Sequence, residues 1–378
     1  MTLNKKRTLI TAAVLAAFAV IFTILYVYKR PAKSGHRMIA VLPLTGNLAV
    51  VGTPKREAME LALEHARQDF PDVNFSIEYQ DSLGQPRDGV AALNQAISLQ
   101  KPDFAFVDLT PVVDAAIPVA DSNRLLMFAG SAQAGITKKS QYVFRIFPGG
   151  DQEVTLISDY LAARRPKGVF VLHTNELYGR SVNELLKGRA NGFSIIGSEE
   201  YGLADRDFRT QLTKARDSGA EIITLLGYGS EYPLLLQQAH ELGIKPSRFM
   251  SNLGAVNIGV IKLSPELTEG ITFAGPLFAL RSDKLETYLP QKRLVEAYRQ
   301  KYGRDPDFRV AFVYDTIMLL FRTLHNTNGV DQAATQLLNV KDYEGTSGRI
   351  TITPDRDAVV DLVLATYKAG KPTPLEGR

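Results

Sequence analysis

Between Phe104 and Pro148 the sequence alternates short apolar runs with one helical pattern, and this alternation restricts the possible folds more than any other feature. Phe104–Val107 and Arg124–Phe128 have the pattern of buried strands, and Val112–Asp121 between them has helical periodicity. A strand, a helix and a second strand in this order favour a parallel pair joined by a right-handed crossover. The chain is therefore predicted to be an α/β protein.

The same alternation occurs upstream and begins again after Pro148. Upstream, the predicted elements are a strand at Met38–Leu42, a helix at Thr53–Phe70 capped by Thr53, a strand at Phe75–Tyr79 and a helix at Arg87–Leu99. Downstream, the predicted strands are Gly168–Leu172, a run around Ile195, Glu221–Leu226 and Arg248–Met250, with helices between them. Two sheets of the same kind are expected.

Three segments are candidates for passages between these two sheets, namely Tyr142–Pro148, Gly270–Pro276 and Tyr343–Gly348. The predicted fold has two doubly wound lobes with mostly parallel sheets, joined by three crossover segments. Lobe 1 is expected to comprise residues 36–146 and 276–345, and lobe 2 residues 147–275 and 346–370, after an N-terminal segment of residues 1–35. Three connections form a hinge and predict a closable cleft. The alternative is a single α/β domain whose loops only turn the chain.

The net charge of +4 does not indicate a nucleic-acid partner. The first 33 residues hold six basic residues and no acidic residue, which leaves 38 basic against 40 acidic residues in the rest of the chain. The body is thus nearly neutral, whereas nucleic-acid binding requires a clustered basic face. The chain has no cysteine, which excludes disulfides and a lipid-modified N-terminal cysteine.

Leu9–Tyr28 contains no charged residue and is long enough to cross a bilayer as a helix. It is a transmembrane or signal helix. Its length and its terminal Tyr26 and Tyr28 favour an uncleaved anchor over a signal peptide. Cleavage after Ala32–Ser34 remains the alternative, since small residues stand at both key positions.

No cofactor or metal site is predicted. Gly227-Tyr228-Gly229 follows a strand, but Tyr232 stands where a dinucleotide fingerprint has its third glycine. The five histidines have no metal-ligand spacing, and no P-loop is present. His173 with Glu176 is the only pair suited to acid–base chemistry, and no activated nucleophile is evident beside it. The chain is predicted not to be an enzyme.

Loops at the ends of the predicted strands are the candidate ligand contacts. Leu109-Thr110-Pro111 and Gly130-Ser131-Ala132 follow neighbouring strands, and their backbone N–H groups are expected to face the crevice of the sheet. Tyr178 and Tyr228 stand beside glycines where strands of the second sheet meet their helices. A tyrosine ring can cover a ligand while its hydroxyl forms a hydrogen bond. Core packing is the alternative role for both.

Residues in this order resemble the type I periplasmic binding proteins, specifically the leucine/isoleucine/valine-binding family of ABC transporter receptors. The resemblance covers about residues 38–370. It is carried by Ile39–Gly46 with Gly52, Asp81, Tyr142–Arg145, Tyr178-Gly179, Asp207-Phe208, Gly219-Ala220, Tyr314-Asp315 and Tyr343–Arg349. The family implies two lobes that close on a small ligand, an ABC permease in the membrane as partner, and a periplasmic or extracytoplasmic location. Residues 9–28 would then tether the protein to the inner membrane.

The resemblance also implies positions for the ligand contacts. On the first lobe these are Val51, Leu109, Thr110, Gly130, Ser131 and Ala132; on the second lobe they are Tyr178, Tyr228 and Leu253. Where the amino-acid binders place an acid for the ligand ammonium, this chain has Leu253, although Glu231 or Asn252 could substitute if the alignment slips. A buried ammonium without a carboxylate partner would cost several kcal/mol. The expected ligand is therefore not a simple α-amino acid, but a less polar molecule or an amine-free carboxylate at Gly130-Ser131.

Two functions remain open at this point. The first is an extracytoplasmic solute-binding receptor of a branched-chain amino-acid-type ABC transporter. The second is a non-transport receptor or regulator of an envelope enzyme on the same fold, which a collapsed cleft would favour.

Overall fold

The structure is a computed structural model that describes residues 35–280, 287–327 and 329–375. It begins with five strands and the helices between them. These elements are β1 (His36–Leu42), α1 (Ala49–Asp69), β2 (Phe75–Asp81), α2 (Pro86–Gln100), β3 (Phe104–Asp108), α3 (Thr110–Asn123), β4 (Leu126–Gly130) and β5 (Val143–Phe144). The strands form one parallel sheet in the order β2-β1-β3-β4-β5.

The second sheet repeats this arrangement. Its elements are α4 (Gly150–Arg164), β6 (Val169–Thr174), α5 (Leu177–Gly188), β7 (Ile195–Tyr201), α6 (Arg209–Asp217), β8 (Ile222–Leu226), α7 (Tyr232–Glu241), β9 (Phe249–Ser251), two short helices α8 (Ile258–Ile261) and α9 (Pro265–Thr268), and β10 (Thr272–Pro276). The order β7-β6-β8-β9-β10 is parallel throughout and matches that of the first sheet.

The remaining elements return to both parts. They are α10 (Leu277–Leu280), α11 (Leu289–Tyr302), α12 (Phe308–His325), α13 (Val330–Leu338), β11 (Tyr343–Gly345), β12 (Gly348–Ile352), β13 (Ala358–Val360), β14 (Leu362–Lys368) and β15 (Lys371–Pro374). Helix α12 packs along α1 beside the first sheet. Strands β11–β13 form a small antiparallel sheet, and β14 and β15 add antiparallel strands to the second sheet beyond β10.

This architecture confirms the predicted α/β class with mostly parallel sheets. We call the first sheet with its helices and α11–α12 the first lobe, and the second sheet with its helices the second lobe. The chain passes from the first lobe to the second after β5, returns after β10, and reaches β14 from the small sheet. Gly270–Pro276, predicted to be a crossing segment, is thus largely strand β10 of the second sheet, and Tyr343–Gly348 lies in the β11–β12 hairpin. The exact domain bounds stay a prediction.

Helix α1 begins four residues before its predicted start. A single turn of 3₁₀ helix at Gly46–Leu48 leads directly into Ala49, so Thr53 lies within the helix and is not its cap. Gly52 permits this path, because a Cβ at that position would lie 2.0 Å from the carbonyl oxygen of Pro43. The earlier start places Val51 on the first turn of the helix, at the end of β1.

The predicted membrane segment Leu9–Tyr28 lies outside the described residues. Within the described part of the chain, no helix combines the length and the apolar character needed to cross a membrane.

Candidate functional site

A cavity of about 50 Å³ lies between the two lobes, at the carboxyl ends of their parallel strands. The residues from the sequence prediction that line it are Val51, Leu109, Thr110, Gly130, Ala132, Tyr178, Tyr228 and Leu253. The parallel register explains their proximity, since Asp108 at the end of β3 pairs with Gly130 at the end of β4. That these residues contact a ligand remains a prediction.

Ser131 is the one predicted contact that does not line the cavity. It is buried, and its hydroxyl lies 2.9 Å from that of Thr110 in a hydrogen bond. Its carbonyl oxygen accepts a hydrogen bond from the guanidinium of Arg145, which is fully buried and also pairs with Asp357. Ser131 therefore fixes the loop that carries Gly130 and Ala132.

The two lobes confront each other closely around the cavity. The backbone N–H of Gly150 in the second lobe donates to the carbonyl oxygen of Ala132 in the first, at 2.6 Å. The ring of Tyr228 packs against apolar residues of both lobes. The cavity is thus closed by protein from both sides.

The wall from the first lobe carries a buried ion pair that the sequence prediction missed. Lys55 on α1 pairs with Asp108 at the end of β3, and their side chains are 5% and 0% exposed. Burial lowers the pKa of Lys55, while the Asp108 carboxylate opposes this change. The second oxygen of Asp108, Oδ2, is buried and has no hydrogen-bond partner among the described residues.

The wall from the second lobe is a hydrogen-bonded network around Asn252. The Asn252 amide donates to the hydroxyl of Tyr178 at 2.6 Å and to the carbonyl of Gly227 at 2.8 Å, and its Oδ1 accepts from Tyr232 at 2.9 Å. The rings of Tyr178 and Tyr228 lie 5.2 Å apart. The Asn252 amide therefore fixes the ring of Tyr178, and the ring of Tyr228 packs against it.

Glu153 on α4 brings a carboxylate to this wall. Its Oε2 accepts a hydrogen bond of 3.2 Å from the backbone N–H of Leu253, while Oε1 is buried without a partner among the described residues. Burial raises the pKa of Glu153 to about 8, opposed by the Leu253 N–H and by the charge of Arg145. The sequence analysis found no acid at position 253 and did not anticipate that Glu153 would lie beside Leu253. A residue a hundred positions earlier in the chain reaches the same place.

The acids considered in the sequence analysis have other roles. Glu231 is buried, bonded to the hydroxyl of Tyr201 and to the backbone N–H of Tyr228, and does not line the cavity. Glu176 accepts from the N–H groups of Tyr178 and Gly179 and so caps α5. The Glu176 carboxylate also accepts hydrogen bonds from the hydroxyls of Thr174, at 2.6 Å, and Tyr228, at 3.2 Å.

The sequence prediction also missed other residues that line the cavity. For two of the missed residues, Lys55 and Glu153, the helical periodicity of the sequence contained a signal. Phe147, Phe308 and Arg309 line the cavity, and Arg309 is paired with Asp307. Lys55 lies three and seven residues before the buried Ala58 and Ala62. In the same way, Glu153 lies four and eight residues before buried Ile157 and Leu161. A charge on the apolar face of a helix marks a buried charge.

The described ranges 35–280, 287–327 and 329–375 contain no group of three or more His, Cys, Asp or Glu side chains placed to hold a metal ion. His173, considered for acid–base chemistry, is buried and bonded to the backbone carbonyl of Thr174 and to Asn183. These contacts give it a structural role in the second lobe.

Residues 39–372 match the sequence profile of the family described as periplasmic binding protein. The chain belongs to this family. Its relatives identify it further with the type I, leucine/isoleucine/valine-binding kind, as the sequence resemblance predicted. It is 28% identical over 215 residues to Leu/Ile/Val-binding protein homolog 3 of Brucella melitensis, covering 54% of this chain and 58% of the relative. It is 22% identical over 317 residues to the leucine-, isoleucine-, valine-, threonine-, and alanine-binding protein of Pseudomonas aeruginosa, covering 82% and 83%.

Solved structures share the fold of this family member. The substrate-binding protein LivJ of Streptococcus pneumoniae, in complex with isoleucine, superposes with a TM-score of 0.79 at 21% identity, covering 90% of this chain and 98% of LivJ. A solute-binding protein of Rhodopseudomonas palustris in complex with 3,4-dihydroxybenzoic acid has a TM-score of 0.79 at 19% identity, covering 90% and 96%. Membership of a family of binding proteins agrees with the prediction that the chain is not an enzyme, and it places the body outside the cytoplasm.

Proposed function

We propose that this family member is the solute-binding receptor of an ABC transporter, closing two lobes on a small ligand that is not a simple α-amino acid. The observation that carries the proposal is the cavity between the lobes, lined by side chains from both. A ligand that contacts both walls stabilises the closed arrangement over the open one, which is how such a receptor signals occupancy. A membrane permease is the proposed partner, and residues 9–28 are the proposed tether.

The relatives support a transport role but differ in what they bind. One neighbour holds isoleucine and another holds a dihydroxybenzoic acid, so the shared fold leaves the ligand open. Asp108 argues against an α-amino acid, because its buried carboxylate lies against Gly130 in the loop predicted to grip the ligand carboxylate. A ligand carboxylate bound at this loop would lie next to the Asp108 carboxylate, and two negative charges side by side repel strongly where water is excluded.

A thermal-unfolding screen tests the receptor function. The full chain, purified in detergent, is melted with a library of amino acids, amines, carboxylates and sugars. At least one compound should raise the melting temperature, since a ligand that binds only the folded state stabilises it. Native mass spectrometry of the untreated protein should identify a co-purified molecule of the same class.

Ala132→Leu gives a variant in which the cavity is filled, and it should lose the ligand-induced rise. Ala91→Leu, at an exposed position on α2, is the matched control and should keep the rise. A library in which no compound stabilises the protein would contradict the receptor function.

The second candidate is a non-transport receptor or regulator of an envelope enzyme. The observation that favours it is the volume of about 50 Å³, which is small beside the roughly 300–1,000 Å³ of common ligand pockets. Failure of every library compound, together with capture of a defined envelope enzyme at the cleft, would decide in its favour.

A further inference from the structure

We propose that the ligand carries a positively charged amine and no carboxylate, and that the amine binds between Asp108 of the first lobe and Glu153 of the second. The inference rests on the receptor function proposed above and names the class of ligand for the same cavity. It replaces the expectation of an amine-free carboxylate.

Unpaired acceptors are the first support. Asp108 Oδ2 and Glu153 Oε1 are both buried, both belong to residues that line the cavity, and neither has a hydrogen-bond partner among the described residues. Buried acceptors without partners are rare because each costs free energy. Ionised carboxylates accept and do not donate, so a group that satisfies Asp108 together with deprotonated Glu153 must bring N–H or O–H donors.

The charges of the lining residues favour a cation. Lys55 balances Asp108, and Arg309 balances Asp307, so Glu153 is the lining residue that becomes a carboxylate without a counter-ion inside the cavity once it loses its proton. A monocation would neutralise the ionised Glu153. A ligand carboxylate would instead bring a further negative charge beside the Asp108 carboxylate, at a high cost in a dry site.

The aromatic residues of the cavity give independent support. Phe147, Tyr178, Tyr228 and Phe308 line it, and the Lys55 ammonium already lies 5.8 Å from the centre of the Phe147 ring. The faces of aromatic rings attract cations, and groups of rings recognise ammonium ligands. Val51 and Leu253 add apolar surface, so the body attached to the amine should be small and aliphatic.

Glu153 makes the binding depend on pH. Its pKa of about 8 means that the carboxyl is largely protonated at pH 7, so pairing with an ammonium requires the loss of its proton. The charged or titratable groups around it are Arg145, Asp151, Tyr178, Tyr232 and, across the cavity, Lys55, Asp108 and Arg309. The new ion pair that forms on binding is therefore the one between Glu153 and the amine of the ligand.

Three matched probes test the inference by isothermal titration with the full chain in detergent. All three probes contain an isobutyl group. Isoamylamine carries an amine, 4-methylvalerate carries a carboxylate, and leucine carries both an amine and a carboxylate. Isoamylamine should bind most tightly. Its binding at pH 7 should release close to one proton from Glu153, which is detected because the measured heat of binding then depends on the ionisation enthalpy of the buffer. Its affinity should fall about tenfold per pH unit as the pH decreases below 8.

Variants separate the two acids from general effects on folding. Glu153→Gln has nearly the same shape and should weaken isoamylamine binding by roughly a hundredfold and abolish the proton release. Asp108→Asn should weaken binding as well. Glu184→Gln, at an exposed position on α5, is the matched control and should behave as the parent protein.

Tighter binding of leucine or 4-methylvalerate than of isoamylamine would overturn the amine assignment and leave the receptor function standing. Amine binding that is independent of pH and of Glu153→Gln would overturn it equally. The absence of any ligand in the wider library would instead remove the receptor function itself.

Discussion

The two walls of the cleft have the same strand order but different chemistry. The first-lobe wall is built on β2-β1-β3-β4-β5 and presents the Lys55–Asp108 ion pair, whereas the second-lobe wall is built on β7-β6-β8-β9-β10 and presents tyrosines held by Asn252. The topology therefore determines where the walls stand, because the carboxyl ends of parallel strands meet at one edge. It does not determine whether a wall acts through charge or through neutral hydrogen bonds.

The difference has an energetic consequence. Removing one partner of a buried ion pair is costly, since the remaining charge is left without either water or a counter-ion. A neutral network loses its stabilisation in smaller steps, one hydrogen bond at a time. Substitutions on the first-lobe wall should therefore have larger effects than similar substitutions on the second, with Glu153 as the exception because it brings a titratable charge to the neutral wall.

The largest effect is expected for Lys55→Met. It leaves Asp108 buried without a counter-ion and should lower the free energy of unfolding by about 4 kcal/mol at neutral pH, as measured by urea denaturation. Adding Asp108→Asn to the same chain should recover most of that loss. If the double variant is no more stable than Lys55→Met alone, the loss comes from packing and not from the unpaired charge.

Glu153 should make the stability of the protein decrease as the pH rises. Its pKa is about 8 in the folded protein against an ordinary value of 4.5, so the folded state binds the extra proton and is stabilised at low pH. Between about pH 5 and 8 this contribution, about 3 kcal/mol, should be lost. Glu153→Gln should show a flatter dependence in urea titrations at each pH. Equal slopes for both proteins would mean that Glu153 is ionised throughout.

Asn252→Ala probes the neutral network of the second wall. It removes the partners of Tyr178, Tyr232 and the Gly227 carbonyl and should lower the free energy of unfolding by about 2 kcal/mol. Asn94→Ala, at an exposed position on α2, serves as the control and should change it by less than about 0.5 kcal/mol. A loss as large as that of Lys55→Met would erase the contrast between the walls.

The smallest effect is expected for Tyr228→Phe. The ring still packs against both lobes, and only the hydrogen bond of the hydroxyl to Glu176 is lost, which should cost about 0.5–1 kcal/mol in thermal or urea unfolding. Tyr228→Ala also removes the ring and should cost considerably more. Similar values for the two variants would show that the hydroxyl, and not the ring, holds the lobes together.

The sequence alone was sufficient to predict the alternation of strands and helices, and hence the α/β class of the fold. It also located the strand ends, because apolar runs and glycine-rich turns are local signals. For this reason the sequence predicted one set of strand-end residues as ligand contacts. The structure places Leu109, Thr110, Gly130, Ala132, Tyr178 and Tyr228 around one cavity. Their contact with a ligand stays a prediction.

Only the tertiary structure decided which charges meet in the cleft. The Leu253 N–H and the Glu153 carboxylate are a hundred residues apart in the chain, and Lys55 and Asp108 are fifty-three apart, so no periodic pattern connects either pair. Periodicity shows that a charged residue lies on a buried helix face, but the identity of its partner depends on how helices pack on sheets and lobes on each other. That packing placed an acid at the wall where the sequence shows a leucine, and with it changed the chemistry expected of the ligand.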